Sequence, residues 1–400
     1  MSGSGTVSLE LRTSDAEALD ITPFVERFTW TESMLSGGFS WELHFRTEFW
    51  REWDRLMLGR DLPNYQMRLL VQEQEEQSTE WRSIYLDKSR AAFSQNLAMT
   101  GQARGADRRL ELAQGSRTRR WTNVRVSDII SQIASEHGLL PDVEQTSSLD
   151  DYTQARENDW AFARRVARAA ALGSGRGDVY LWMDERTLRL RAPQLTARSA
   201  RSYDIAVVEE RLNEFVGTYY GREADRQGAA TLRGVGFDFD AKAGIVFEMN
   251  PGTAQTQPSL ASRVPRRMAD GLRVVAIFQD TKDTVVDAVR ARWCRVAPRY
   301  MSVTINTRPD VTISPGVVIS IEANLDQRRE TPWVGRYVVL EVRHTLVAGT
   351  MTTSLVCYRR EAHEGESFPT GASADLAATQ DPGQRTGQQP RTTRTARQLG

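Results

Sequence analysis

The sequence predicts a mainly β protein in which two β-rich units flank a small α+β insert. Apolar and polar residues alternate through most of the first hundred residues, which is the period of half-buried strands. Between about residues 116 and 200 the pattern changes to the three- and four-residue spacing of helices, and alternation then returns. A chain of 400 residues also exceeds the usual size of one hydrophobic core, so several domains are expected.

The first β-rich unit, residues 1–115, contains several short alternating runs. Turn-forming residues separate these runs at Ser36, Gly37 and Gly38 and at Pro63 and Asn64, so consecutive strands are predicted to pair as antiparallel hairpins. Strands of this number and spacing favour a small barrel or sandwich. The alternating apolar residues are Val7, Leu9, Leu11, Phe39, Trp41, Leu43, Phe45, Tyr65, Met67, Leu69 and Val71.

Aromatic residues are frequent in this unit and have two interpretations. One is a sugar-binding platform, and the other is the filling of a small barrel. The alternating aromatics favour core packing, because a small barrel needs large rings to fill its interior. The residues concerned are Trp30, Trp41, Phe45, Phe49, Trp50 and Trp53.

Residues 116–200 form the predicted insert, with two helices and a hairpin. Ser127 is predicted to cap the first helix, and Gly138 to end it. Asn158 or Asp159 caps the second helix, and Gly173 is its predicted end. The runs 179–183 and 188–190 are typical of a hairpin. The apolar faces are formed by Ile129, Ile130, Ile133, Ala134 and His137 in the first helix and by Trp160, Ala163, Val166, Ala167 and Ala170 in the second.

Residues 201–364 form the second β-rich unit. Its strongest strand signals are the runs 317–321, 338–342 and 351–357, with Ala348 and Gly349 as the turn between the last two. One amphipathic helix is predicted over 283–296. Residues 365–400 contain almost no large apolar residue, so they are predicted to be a flexible C-terminal tail, either free or ordered against a partner.

Composition excludes several classes of protein. The 52 basic and 52 acidic residues cancel, which gives no global signal for specific nucleic-acid binding or an anionic membrane. The basic run of Arg117, Arg119 and Arg120 is interpreted as a solvated loop. Two cysteines, Cys294 and Cys357, are too few for a disulfide scaffold and fit synthesis in a reducing cytoplasm. No signal peptide or membrane span is visible in the sequence.

Candidate catalytic residues are sparse. His44, His137, His344 and His363 show no metal-ligand spacing, and the glycine-rich run 173–177 lacks the residues that follow in a phosphate-binding loop. A glycosidase needs two carboxylates, for which the candidate pairs are Glu136 with Asp159 and Asp238 with Asp240. The second pair fits a solvated strand face better. We therefore expect no catalytic, cofactor or metal site, and a protein that is not an enzyme.

The segment 152–167, YTQARENDWAFARRVA, resembles a signature of phage late-control D proteins and of the VgrG spikes of type VI secretion systems. An upstream helix that ends in Gly138 and a downstream hairpin are similar to the same family, and so are the closing strands. The similarity extends over roughly residues 5–360. The residues that match the signature and the closing strands are Tyr152, Asn158, Asp159, Trp160, Phe162, Arg165, Val166, Pro315, Gly316, Tyr337 and His344.

This resemblance implies a baseplate hub in the virion tail or an equivalent injection particle, made in the bacterial cytoplasm. Three copies would form a ring, each contributing two tube-like antiparallel β-barrel domains, and the ring would adapt a sixfold tail tube to a threefold spike. Implied partners are further copies of the chain, the tail spike protein, the tail tube or tube-initiator protein, and the tape-measure and baseplate wedge proteins. No cofactor is implied. Unlike the fused type VI proteins, the sequence shows no spike domain after the hub region and no lysozyme-like insert.

The resemblance also suggests structural roles for the signature residues. Trp160, Phe162 and Val166 are expected in the core of the insert, and Arg165 is expected to pair with a carboxylate of the insert or of a neighbouring subunit. Two other functions remain open at this point, a tail-associated peptidoglycan hydrolase and a receptor- or carbohydrate-binding tail protein.

Overall fold

The computed structural model describes residues 6–13, 18–46, 65–72, 76–93, 99–173, 179–193, 199–204, 212–219, 232–238, 243–249, 273–276, 301–322 and 334–359. Strands dominate these residues and helices are few, so the prediction of a mainly β fold with a small helical part is confirmed. The predicted helix at 283–296, the tail 365–400, Cys294 and His363 lie outside the described residues, as do Phe49, Trp50, Trp53 and Asp240.

The strands, in chain order, are β1 (Thr6–Thr13), β2 (Leu19–Asp20), β3 (Val25–Ser33), β4 (Gly38–Arg46), β5 (Tyr65–Gln72), β6 (Glu76–Ser78), β7 (Arg82–Ser83), β8 (Tyr85–Phe93), β9 (Met99–Ala106), β10 (Arg117–Arg125), β11 (Leu140–Val143), β12 (Leu149–Glu157), β13 (Tyr180–Asp184), β14 (Thr187–Arg191), β15 (Arg201–Asp204), β16 (Leu212–Tyr219), β17 (Leu232–Asp238), β18 (Ala243–Met249), β19 (Arg273–Ala276), β20 (Met301–Thr307), β21 (Val318–Glu322), β22 (Gly335–Val347) and β23 (Thr350–Arg359). The α-helices are α1 (Arg109–Leu112), α2 (Val126–Glu136) and α3 (Asp159–Ala169), and a 3-10 helix spans Thr22–Phe24.

The N-terminal part of the chain builds a two-layer core. One layer is a five-stranded sheet with the order β2-β1-β5-β6, in which β7 also pairs with β5. The other layer contains β3, β4, β9 and β8. Inward-facing residues alternate with outward-facing ones along β3 and β4, as the period-two pattern predicts. The aromatics Trp30, Trp41 and Phe45 lie in this core, so at these positions core packing is the correct interpretation.

One ten-stranded sheet connects the beginning and the end of the chain. Its main path is β16-β20-β23-β22-β3-β4-β9-β8, and β21 joins β22 to β15. The connection is made where β3 pairs antiparallel with β22, with Thr31 opposite Arg343 and Phe28 opposite Leu346. A second core lies on the C-terminal half of this sheet and includes Ile305, Tyr337 and Leu355. Two cores therefore share one continuous sheet.

The insert has its own hydrophobic core between two small sheets and two helices. The ribbon β10-β12 and the three-stranded sheet β11-β14-β13 enclose α2 and α3. Three isoleucines of α2 are buried, at positions 129, 130 and 133, as the helical spacing predicts. The predicted hairpin is present as β13 and β14, joined by Glu185 and Arg186. The turn at Ala348 and Gly349, both with positive φ, joins β22 to β23 as predicted.

Local details of the insert correct several predictions. The first helix begins at Val126 with Arg125 as its N-cap, because the Asp128 side chain accepts the Arg125 backbone N–H; Ser127 lies inside the first turn and is not the cap. His137 is the C-cap of this helix, not part of its apolar face. The second helix ends before Ala170, whose extended backbone stops it ahead of Gly173.

The basic run Arg117, Arg119 and Arg120 is also not a loop. It belongs to β10, where all three arginines form ion pairs with carboxylates of the insert.

Two further observations apply to the described residues only. None of their helices is both long and apolar enough to span a membrane. Among the same residues there is no group of three or more histidine, cysteine, aspartate or glutamate side chains arranged to hold a metal ion.

Candidate functional site: the motif helix and its seat on the sheet

The motif helix α3 begins at a conventional N-cap. Asn158 has an extended backbone, with φ of −75° and ψ of 162°, and its Oδ1 accepts the Ala161 backbone N–H at 2.7 Å. This hydrogen bond satisfies one of the free donors of the first turn. Of the two candidates from the sequence, Asn158 is therefore the cap, which leaves Asp159 free for another role.

Asp159 is the centre of a buried polar cluster. Its side chain is only 3% exposed, and its carboxylate accepts hydrogen bonds from Arg119 at 2.5 Å and from Gln154 at 2.9 Å. The Nε2 atom of His137 lies 2.8 Å from its other oxygen, Oδ2. Burial opposes ionisation, but the contacts with His137, Gln154 and Arg119 outweigh it and hold the pKa of Asp159 below its ordinary value of 3.8. The first turn of the motif helix thus carries a stable negative charge, where the helix dipole also favours one.

Two arginines bring Glu136 and Asp159 together. Arg119 lies 2.6 Å from Glu136 and 2.5 Å from Asp159, and Arg117 lies 2.7 Å and 3.4 Å from the same two carboxylates. Burial opposes ionisation of Glu136, yet hydrogen bonds from Gln132 and Arg119 lower its pKa below 4.5. A glycosidase needs one carboxyl group of the pair to stay protonated as a general acid. Both carboxylates are held ionised here by the arginines. They therefore form an ion-pair cluster, and neither is suited to act as the general acid.

The apolar face of α3 completes the insert core. Phe162 stacks on Trp121 with ring centroids 4.8 Å apart, and Val166 and Tyr152 are buried in the same core. Arg165 lies over the Phe162 ring at 5.1 Å.

The partner of Arg165 lies within the same insert. Its guanidinium group pairs with Glu157 at 2.5 Å and also donates to the Thr153 carbonyl. Of the two carboxylate partners expected for Arg165, the one in the insert is therefore present in this chain.

Trp160 packs against the insert core, as expected, and also meets the large sheet. It is partly buried, and its indole covers the turn between β3 and β4. A Cβ atom added at Gly37 would lie 2.6 Å from Trp160 Cζ2, and Gly37 has φ of +93°. The Gly37 carbonyl also accepts the Met183 backbone N–H at 2.8 Å. Only glycine permits this close approach of the insert to the turn.

The ion pair of Asp107 and Arg109 lies at the same turn between β3 and β4. The Arg109 side chain donates to Asp107 at 2.6 Å, to the Ser36 carbonyl at 2.9 Å and to the Phe39 carbonyl. Asp107 also accepts the Phe39 N–H at 2.7 Å, and burial raises its pKa despite the arginine. The sequence did not suggest this pair, because a lone aspartate two residues before an arginine resembles any exposed charged pair.

A cleft lies beside the contact between Trp160 and the turn at Gly37, and it is bounded by the hairpin β13-β14 and strands β3 and β4. We call it the junction cleft; it has a volume of about 310 Å³ and is lined among others by Glu32, Met34, Arg82, Trp182, Asp184 and Glu185. Arg82 contacts Asp184 at 2.7 Å and Glu32 at 3.5 Å, which connects β7, the insert and β3. Burial raises the pKa of Glu32, which also accepts a hydrogen bond from Trp30 at 3.0 Å.

The closing-strand residues of the signature take separate positions. Pro315 and Gly316 line the junction cleft, and Gly316, with φ of +93°, donates its N–H to the Val339 carbonyl. Tyr337 is buried in the second core. His344 is buried on β22 with Nδ1 2.9 Å from Thr353 Oγ1, and burial lowers its pKa to about 4, so the ring is neutral at pH 7.

The structure therefore gathers most of the signature residues into one region. Asn158, Asp159, Trp160, Phe162, Arg165, Val166 and Tyr152 all belong to the insert and the motif helix. Other candidates do not assemble into a site. His44 lies on β4 beside Glu42, and Cys357 is a buried thiol whose pKa is raised by burial. Asp238 lies on β17, which belongs to the sheet β18-β17-β19 and not to either sheet of the insert.

Comparison with known proteins gives a consistent result at the level of the fold. No family model and no curated protein matches the sequence. The fold is similar to that of the tail protein from Neisseria meningitidis MC58, with a TM-score of 0.61, 10% identity, and coverage of 92% of this chain and 98% of that one. It is also similar to the 43 kDa tail protein of prophage MuSo2 from Shewanella oneidensis, with a TM-score of 0.54, 12% identity, and coverage of 89% and 97%.

A third similar structure is a lidded PdpA–VgrG complex from Francisella, with a TM-score of 0.51 and 8% identity. The match covers 91% of this chain but 55% of that one. At these identities the similarity establishes a shared fold, which is that of two tail proteins and of a chain in the PdpA–VgrG complex.

Proposed function

We propose that this chain is a structural subunit of a phage-type tail or a related injection machine, and specifically its baseplate hub. The observation that carries the proposal is the match to the Neisseria tail protein, which extends over 92% of this chain and 98% of that one. A whole-chain match of this kind supports a shared architecture, not a shared local motif. Function is inferred from it by analogy of fold.

The proposed hub is a ring of three copies that adapts a sixfold tail tube to a threefold spike. Residues 1–115 and 201–364 form the two tube-like barrel domains in this proposal, with 116–200 as the insert and 365–400 as the tail. Two separate cores on one continuous sheet support two repeated units per chain. Three copies then present six such units, and head-to-tail contacts close after three subunits.

Proposed partners are further copies of the chain, the tail spike protein, the tail tube or tube-initiator protein, and the tape-measure and baseplate wedge proteins. The place of assembly is the tail baseplate, after synthesis in the bacterial cytoplasm.

A non-enzymatic role fits the site better than a hydrolase. The carboxylates Glu136 and Asp159 are both held ionised by Arg117 and Arg119, and neither serves as a proton donor at neutral pH. The buried aromatics of the first unit fill a core and offer no sugar-binding platform at the described positions.

The test is the mass of the full chain in solution, measured by light scattering, alone and after mixing with the candidate spike protein. We expect a species of about 135 kDa, three times the mass of the 45.1 kDa chain, when the trimer forms alone, and about 135 kDa plus the mass of the bound spike after mixing. An unrelated spike from another machine is the control and should leave the mass unchanged. A monomer that ignores its spike, together with clearing of purified cell wall by the chain, would refute the hub.

A further inference from the structure

The junction cleft is a mixed-charge cavity with an excess of acid. Its volume of about 310 Å³ is at the small end of the range for binding pockets. A cavity of this size can hold one or two side chains of a bound peptide segment. Its acidic lining residues are Glu32, Glu144, Asp184 and Glu185, and its basic ones are Arg82, Arg189 and Arg191.

The arginines of the cleft already have carboxylate partners. Arg82 pairs with Asp184, and both Arg189 and Arg191 pair with Asp142. Burial raises the pKa of Glu185; the charges of Arg82 and Arg186 oppose this, but with the carboxylates of Glu80 and Asp184 also nearby the pKa stays raised. A cationic group bound beside Glu185 relieves that unfavourable environment, whereas another anion would worsen it.

The end of the described chain lies beside this cleft. Tyr358, near the end of β23, packs in one cluster with Met34 and Trp182, and both of these residues line the cleft. Residues 382–400 contain four arginines, at positions 385, 391, 394 and 397, and no acidic residue. About 26 residues separate the end of β23 from the first of them, and a chain of that length spans up to roughly 90 Å, so reach is not limiting.

We propose that the junction cleft binds the arginine-rich segment 382–400 of this chain, from the same copy or a neighbouring one. A guanidinium group of the segment pairs with Glu185, in a lining that also contains Glu144, and lies against the indole of Trp182. Arginine suits this position because its planar group forms paired hydrogen bonds to carboxylates and stacks on aromatic rings. The bound segment then covers the junction between the insert and the large sheet. The proposal does not depend on the hub function.

Trypsin cleavage of the full-length protein tests this binding, because trypsin cuts after each arginine of the segment. The reference is a synthetic peptide of residues 382–400, and cleavage is followed by mass spectrometry at low salt. We expect cleavage within the segment to be at least about tenfold slower in the protein than in the peptide, because proteolysis follows the unbound fraction. Equal rates in the protein and the peptide would overturn the proposal.

Two variants locate the protection. In Glu144→Gln/Glu185→Gln the protection is expected to disappear, whereas Glu26→Gln, an exposed carboxylate of β3 outside the cleft, should retain it. Protection that persists in the double variant places the segment elsewhere and refutes the assignment. If the double variant does not fold, raising the salt from about 0.05 to 0.5 M in the native protein provides the same test, since screening weakens exposed ion pairs. Protection that is unchanged by salt, relative to the peptide, also refutes ionic binding in the cleft.

Discussion

Replacing Asp159 with asparagine should loosen the insert without changing its shape. Asparagine has nearly the same volume and can still accept one hydrogen bond, for example from Gln154. It cannot balance the charges of Arg119 and Arg117, which lie 2.5 Å and 3.4 Å from the carboxylate. Helix α3 keeps its N-cap, because Asn158 and not Asp159 supplies it.

The magnitude follows from the burial of each partner. Removing one member of a fully buried ion pair costs about 3–5 kcal/mol. Arg119 is 21% exposed and Arg117 is 46% exposed, and Glu136 remains to pair with both, so solvent and Glu136 recover part of that loss. We expect the free energy of unfolding of the insert to fall by about 2–3 kcal/mol.

Urea unfolding followed by tryptophan fluorescence measures this loss, because Trp121 and Trp160 belong to the insert. With a urea dependence of about 1–1.5 kcal/mol per molar for a unit of this size, the midpoint should fall by about 2 M. The control is Asp151→Asn, which removes a carboxylate that is 29% exposed and pairs with the exposed Arg120, and it should change the midpoint little. Equal midpoints for the two variants would show that the cluster around Asp159 does not stabilise the insert.

The pH dependence supplies an independent check on the same residue. The pKa of Asp159 is lower in the folded chain than its ordinary value of 3.8. Its stabilising contribution is therefore fully present above that value and is lost as the pH falls through the lower pKa of the folded state. Asp159→Asn should weaken the loss of stability on acidification below about pH 4. If stability fell equally below pH 4 in the native protein and in the variant, the assignment of a negative charge to Asp159 would be contradicted.

Two further predictions concern the seat of the insert and the large sheet. Gly37→Ala places a Cβ atom 2.6 Å from Trp160 at a φ of +93°, so thermal unfolding should show that the free energy of unfolding falls by about 2–4 kcal/mol. The control is Gly115→Ala, at a φ of +72° with open space around it, which should lower the free energy of unfolding by only about 1 kcal/mol. Similar losses for both variants would argue against close contact at Trp160. Burial lowers the pKa of His344 to about 4, so its neutral ring stabilises the fold above pH 6.5 and that contribution decreases as the pH falls from 6.5 towards 4. His344→Gln should remove this part of the pH dependence, and an identical slope in native protein and variant would contradict it.

Local patterns in the sequence predicted the elements of the insert well. The apolar spacing located both helices, the N-cap choice was narrowed to Asn158 or Asp159, and the hairpin β13-β14 was identified from two short apolar runs. These features depend on residues a few positions apart, whose hydrogen bonds and side-chain contacts are made within one element or one turn. The errors at Ser127 and Gly173 concern helix ends, where a shift of a residue or more costs little energy.

The sequence predicted the chemistry of the candidate site less well than the elements of the insert. Asp159 and Glu136 were recognised as a candidate pair, but their separation and charge state depend on Arg117 and Arg119, which the sequence suggested to be in a loop. The strand β10 places these arginines next to both carboxylates because it pairs with β12, more than twenty residues later in the chain. Whether two carboxylates act as acid and base or as partners of arginine is decided by that pairing.

The sequence by itself determined the β-rich composition of the two outer units, the α+β character of the insert and its main turns, because periodicity and turn chemistry act over a few residues. Only the tertiary structure decided that β3 pairs with β22 in one continuous sheet, that Trp160 and Arg109 hold the insert on the turn at Gly37, and that the junction cleft lies beside the end of β23. These contacts join residues that lie tens to hundreds of positions apart. Their free energy depends on the simultaneous burial of several elements, which no local pattern in the chain records.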